Sequence, residues 1–137
     1  APEKLKINIP KKKNHNRRNA LIVEDIKTNQ MILKKILDNE NIDTEIVNNG
    51  KEAVDIVKEK SFDIIFMDIQ MPIMNGEEAT KIIRTDLDMY TPIIAITAHA
   101  FDGVEEKCLQ AGMNGFVTKP FDQNKIKKEL KKINKNG

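Results

Sequence analysis

The sequence predicts an α/β fold: a doubly wound five-stranded parallel sheet in the order 2-1-3-4-5 with helices on both faces. Three observations point to it. From Asn19 onward, short apolar runs such as Ala20-Leu21-Ile22-Val23 and Ile64-Ile65-Phe66-Met67 alternate with segments of helical period. Five such strand-helix repeats can be read along the chain. Four of the runs end in residues that carry chemistry, namely Glu24-Asp25, Asp68, Thr97 and Thr118-Lys119-Pro120. In an open parallel sheet the carboxyl ends of the strands meet at one crevice, which lies at the switch point between the first and third strands.

The elements follow in order. The first strand covers about 19–24, and the helix after it carries Leu33, Ile36 and Leu37 at helical spacing. The second strand covers about 43–47 and is followed by a helix with Ala53, Val54 and Val57 inward. The third strand ends at Asp68, where a loop closed by Pro72 and Gly76 leads into a helix with Ala79, Ile82 and Ile83 inward. After the turn at Thr91-Pro92 comes the fourth strand, Ile93–Thr97, then a helix with Val104, Cys108 and Ala111 stopped by Gly112. A short strand at Gly115–Thr118 and a last helix with Ile126, Leu130 and Ile133 complete the pattern. The group Lys125, Lys127, Lys128, Lys131 and Lys132 reads as the wet face of that helix.

A chain of 137 residues suits one domain, which buries about two-thirds of its unfolded surface and needs no staple. Cys108 is the only cysteine, so a disulfide framework or cysteine-based zinc site is excluded and a reducing, cytoplasmic setting is expected. The longest apolar runs are too short to cross a membrane, and no secretory signal is visible. The net charge of +2 hides an asymmetry: residues 1–18 hold seven Lys and Arg against Glu3 alone, so the rest of the chain is acidic. That basic stretch lacks an aromatic residue for stacking on bases and an apolar face for insertion into lipid. It is expected to be a flexible, solvated linker at 1–18 preceding a domain at 19–137, without direct contact to nucleic acid or membrane insertion. Pro2, Pro10 and the absence of an initiator Met suggest a fragment cut at an interdomain linker.

Three carboxylates at one crevice repel one another, so they share a proton or recruit a cation. Oxygen ligands favour a hard ion, and Mg²⁺ fits because it accepts carboxylates, keeps waters and completes its shell with phosphate oxygens. Glu24, Asp25 and Asp68 are the metal candidates. Lys119 adds a positive charge and Thr97 a hydroxyl, so the pocket suits a phosphoryl group. Asp68, at a strand end, is placed to act as nucleophile and form an aspartyl phosphate.

With these residues in view, the chain resembles the receiver domains of the two-component response-regulator family over 19–134. The resemblance rests on Leu21-Ile22-Val23-Glu24-Asp25, on Met67-Asp68-Ile69-Gln70-Met71-Pro72-Ile73-Met74-Asn75-Gly76, on Ile96-Thr97-Ala98-His99-Ala100 and on Val117-Thr118-Lys119-Pro120, in family order. It implies a flavodoxin-like fold and a phosphoacceptor at Asp68. It further implies Mg²⁺ held by Glu24, Asp25, Asp68 and the backbone carbonyl of Gln70, with Thr97 and Lys119 gripping the phosphoryl oxygens. Phe116 is then the aromatic switch residue, and Lys119-Pro120 corresponds to the family's cis peptide. Gln70 and His99 flank the path of attacking water and modulate the lifetime of the phosphoryl group. Glu at position 24 departs from the commoner Asp. A domain of this kind catalyses its own phosphorylation and dephosphorylation.

The stretch 67–84, with Thr97-Ala98-His99 and Cys108-Leu109-Gln110-Ala111-Gly112-Met113, most resembles receivers fused to hybrid sensor histidine kinases. That context implies a relay in signal transduction: phosphate arrives from a histidine kinase core, in cis or in trans, and leaves to a histidine phosphotransfer protein. The domain itself would be cytoplasmic, with any membrane anchor in the parent chain. A stand-alone response regulator is the alternative. Each residue also has a plainer reading: Asp25 as a helix cap, Glu24 as surface charge, Thr97 as a β-branched strand end, Phe116 as core packing, His99 as a solvent-facing loop residue. A haloacid-dehalogenase-like phosphatase would use a similar Asp, Thr, Lys and Mg²⁺. It needs a second acid two positions beyond the nucleophile, where this chain has Gln70. A phosphorylation-independent binding module would lose part of the acidic set, and this chain keeps all of it.

Overall fold

Period-two alternation sorts the strand residues onto two faces, and each face finds its own helices. Leu21, Val23, Ile65, Met67, Ile93 and Ala95 form one core with Ala53, Val54, Val57, Ala79, Ile83, Val104 and Cys108. Their neighbours Ala20, Ile22, Ile64, Phe66, Ile94 and Ile96 form the other with Leu33, Ile36, Leu37, Ile126 and Leu130. In the computed structural model, residues 17–98 and 103–136 are described. The strands are β1 (Arg18–Val23), β2 (Ile42–Val47), β3 (Ile64–Asp68), β4 (Ile93–Thr97) and β5 (Gly115–Thr118). The helices are α1 (Lys27–Asn39), α2 (Gly50–Val57), α3 (Gly76–Lys81), α4 (Val104–Ala111) and α5 (Gln123–Asn136). Thus α1 and α5 cover one face, and α2, α3 and α4 the other.

All pairings are parallel in the order β2-β1-β3-β4-β5, the doubly wound, flavodoxin-like arrangement expected. Every residue of β3 and β4 is buried, as central strands covered on both faces require. Register then fixes the site. Val23 pairs with Met67, Asp68 with Ile96 and Thr97 with Thr118, so Glu24, Asp68, Thr97 and Lys119 all emerge at the carboxyl end of the sheet, within two residues of one level.

Boundaries shift modestly from the expected ones. β1 begins at Arg18, inside the stretch read as linker, and the preceding Arg17 pairs with Asp43 at 2.7 Å. Of the basic arm, residues 1–16 lie outside the described residues. The third helix departs more. After Lys81 it widens into a π-helical turn, Ile82–Asp86, closed by the bond from Leu87 N–H to the Ile82 carbonyl at 3.0 Å. The widened turn leaves Ile83 fully buried and Ile82 only half-buried, although both were expected inward. Arg84 on this turn donates to the carbonyls of Gly112 (2.9 Å) and Met89 (3.0 Å) and to Asn114 Oδ1 (2.8 Å). Gly112 does stop α4, in the left-handed conformation at φ 107°.

Candidate functional site

A buried carboxylate must find compensation, and Asp68 finds it on both oxygens. Its Oδ2 lies 2.9 Å from Lys119 Nζ, and its Oδ1 accepts from the Gln70 N–H at 3.0 Å. Gly76 makes this geometry possible, because a Cβ there would collide with the Asp68 carbonyl oxygen. The Gly76 N–H in turn bonds the Ile69 carbonyl at 2.9 Å. A capping box between Asn75 and Glu78 starts α3 directly behind the loop, so the chain leaving Asp68 is tied down within one turn.

Glu24 is fully buried at the end of β1, which the plainer reading as surface charge does not accommodate. Its Oε2 accepts from the Ile26 N–H at 2.9 Å. Its Oε1 is buried without a well-directed hydrogen bond, and the Lys119 ammonium stands 3.2 Å away. Burial pushes the Glu24 carboxyl above the ordinary glutamate range; the Asp68 charge adds to this, while the Ile26 N–H and Lys119 oppose it. For Lys119 burial works downward, but the hydrogen bond to Asp68 and the charges of Asp68 and Glu24 outweigh it, so its pKa is raised and the ammonium stays charged. Asp25 is exposed and is not the cap of α1, a position taken by Ile26 without any side-chain bond.

Glu24, Asp25 and Asp68 bring ligand oxygens within 4.8 Å of one another. Three carboxylates stand around one ammonium, and the buried Oε1 of Glu24 has only the charge of that shared ammonium beside it. An all-oxygen donor set with that charge imbalance fits a hard divalent cation such as Mg²⁺. Thr97 is buried at the end of β4, and its carbonyl accepts from the Lys119 N–H at 2.8 Å, which joins the β4 and β5 sides of the crevice. The Lys119-Pro120 peptide is cis. Phe116 lies opposite Ala95 one strand away, half-buried against the α2-α3-α4 core, and lines a surface cavity of about 270 Å³ with Thr118, Lys125, Lys128 and Glu129. His99 lies outside the described residues.

One contributor escaped the sequence reading. Gln30 of α1 is buried, and its amide nitrogen donates to the Glu24 carbonyl (2.6 Å) and to Asn48 Oδ1 (2.8 Å). The available signal was an amide three residues before Leu33 on the apolar stripe of α1.

Comparison with known proteins places this geometry in company. The response regulator receiver domain family matches residues 20–131. The osmosensing histidine protein kinase SLN1 of Saccharomyces cerevisiae is 43% identical over 121 residues, which are 84% of this chain and 10% of that protein. Two-component response regulator 24 of Arabidopsis thaliana is 40% identical over 116 residues, 84% of this chain and 83% of that protein. Among solved structures, the receiver domain of the sensor histidine kinase PA1611 from Pseudomonas aeruginosa PAO1, described with a magnesium ion coordinated in its active site cleft, has a TM-score of 0.78 and 35% identity. That match covers 85% of this chain and 98% of the other.

Proposed function

This chain belongs to the response regulator receiver domain family of two-component signalling, and from that premise we propose that Asp68 is the phosphoacceptor of a phosphorelay. In the proposed transfer an Asp68 oxygen forms a bond to phosphorus as the P–N bond of a phosphohistidine breaks, its electron pair leaving on the imidazole nitrogen. The observation that carries the reading is the Asp68 carboxylate held between the Lys119 ammonium and the Gln70 N–H, beside the buried Glu24 carboxylate that shares the same ammonium. Such preorganised charge is most of what phosphoryl transfer asks of a protein.

Glu24, Asp25, Asp68 and the Gln70 carbonyl would hold Mg²⁺, which when bound neutralises charge on the phosphoryl oxygens. Lys119 releases its contact to the carboxylate and takes a phosphoryl oxygen, while the Thr97 hydroxyl turns toward another. Phe116 responds to the space behind Thr97, so the surface formed by α4, β5 and α5 carries the signal. The magnesium ion described for the PA1611 receiver supports the metal, and Gln70 in place of an acid speaks against a haloacid-dehalogenase-like phosphatase.

The context favoured is a hybrid kinase, with phosphate arriving from a histidine kinase core and passing to a histidine phosphotransfer protein. Similarity to a kinase of which this chain spans 10% supports a receiver tethered to a larger protein. Similarity to a response regulator matched over 83% of its length supports the second reading, a stand-alone regulator. The central claim is tested with acetyl phosphate and Mg²⁺ by intact-mass measurement. One phosphoryl group is expected on the wild type and none on Asp68→Asn or in EDTA. Full labelling of Asp68→Asn rejects the assignment.

A further inference from the structure

The apolar stripe of α1 runs through Leu33, Ile36 and Leu37, and Gln30 continues it one turn earlier with an amide instead of an alkyl group. Burying an amide costs free energy unless its polar atoms are bonded. Here one nitrogen donates two bonds. One goes to the carbonyl of Glu24, and the other to Asn48, an exposed residue that opens the loop between β2 and α2. Asn48 is itself anchored, because its N–H donates to Glu52 Oε1 at 2.8 Å. Glu52 completes the frame by donating its own N–H to the Asn49 cap at 2.9 Å. The main chain of Glu24 is also tied to the end of β2 through the bond from its N–H to the Val47 carbonyl at 3.1 Å.

These links hold the backbone of Glu24 from both its nitrogen and its carbonyl, while its carboxylate lies within 4.8 Å of those of Asp25 and Asp68, with Oε1 buried beside the Lys119 ammonium. An apolar residue at position 30 would pack on α1 equally well but would leave the Glu24 carbonyl without this donor. We propose that Gln30 is a positioning residue: by clamping the Glu24 backbone to the β2–α2 loop it aims the Glu24 carboxylate and thereby sets the affinity of the carboxylate cluster for a divalent cation. The inference rests on the receiver reading and deepens it.

The test uses Gln30→Met, which keeps side-chain length and suits the apolar stripe, and Asn48→Ala at an exposed position. Mg²⁺ binding is measured by titration calorimetry well below the melting temperature of each protein, where a merely structural role leaves affinity unchanged. Outer contacts of this kind typically tune metal affinity by 10–100-fold, so Gln30→Met is expected to weaken Mg²⁺ binding about tenfold or more. Asn48→Ala should weaken it less, and adding Asn48→Ala to Gln30→Met should cost nothing further. The Mg²⁺ concentration for half-maximal acetyl phosphate labelling should rise in parallel. Wild-type affinity in Gln30→Met overturns the role of Gln30 while leaving the receiver reading intact. Should Gln30→Met not fold, wild-type affinity in Asn48→Ala overturns it instead. Absence of both Mg²⁺ binding and labelling in the wild type overturns the receiver reading and the positioning role together.

Discussion

At the scale of single residues, Glu24 is where this domain gives up stability for a site. Its carboxyl is buried beside Asp68, and its pKa is raised mainly by burial. A carboxyl whose folded-state pKa lies above its unfolded value binds its proton more tightly when folded. Its contribution to stability is therefore full below the unfolded pKa and is lost as pH rises through the folded pKa. Metal-free protein should accordingly lose stability as pH rises above the ordinary glutamate range. Glu24→Gln removes that dependence and is expected to raise the metal-free melting temperature at pH 7 by several degrees, since a relief of 1 kcal/mol corresponds to roughly 4 °C in a domain of this size. Thermal melts in EDTA from pH 5 to 8 check this. A lower melting temperature in Glu24→Gln at pH 7 would count against the strain argument. The same variant should bind Mg²⁺ more weakly than the wild type, which separates the loss of a ligand from the gain in fold stability.

Among the elements, α4 and β5 link the crevice to the outer surface. The end of α4 is fastened by Arg84, whose guanidinium reaches the Gly112 carbonyl and, through Asn114 Oδ1, the same acceptor used by the Ile93 N–H. In the switch proposed above, a pull on Thr97 would reach Phe116 on the neighbouring strand β5, while the end of α4 at Gly112 stays anchored. Thr97→Ala is expected to accept a phosphoryl group but to respond weakly. On adding beryllofluoride, a phosphoryl mimic, the amide shifts of segment 98–118 should shrink by more than half in Thr97→Ala. Equal shifts in the two proteins would exclude Thr97 as the coupling element.

For the whole molecule the question is direction of flow. The loop after Asp68 exposes Ile73, and Ile26 lies exposed just before α1, while Met71 and Met74 are half-buried against the core. This apolar rim can seat a helical partner that brings an imidazole into line with Asp68. In the relay reading, radiolabelled phosphorylated domain mixed with histidine phosphotransfer proteins from its own genome should lose label to a histidine within minutes. Label released only as inorganic phosphate would favour a terminal regulator.

Five strands, their parallel order and the four strand-end residues were legible in the sequence, because alternation of period two and helical spacing are local and leave their mark on every residue. The position of Asp68 was legible for the same reason: it ends an apolar run that reads as a buried strand. Other features depended on contacts between segments far apart in the chain. The sequence places Glu24 at the crevice, but its full burial against the Lys119 ammonium shows only once β5 is folded beside β1 and β3. Gln30 reads as one more polar residue on an amphipathic helix until the Glu24 carbonyl and Asn48 close around its amide. The π-helical turn after Lys81 has no local signature, and Arg84 on it reaches acceptors 28 and 30 residues away. Periodicity thus determined which residues lie inside and at which strand ends the chemistry stands. Only the tertiary structure decided which polar groups are buried without a partner, because desolvation is a property of the assembled surroundings and not of any one segment.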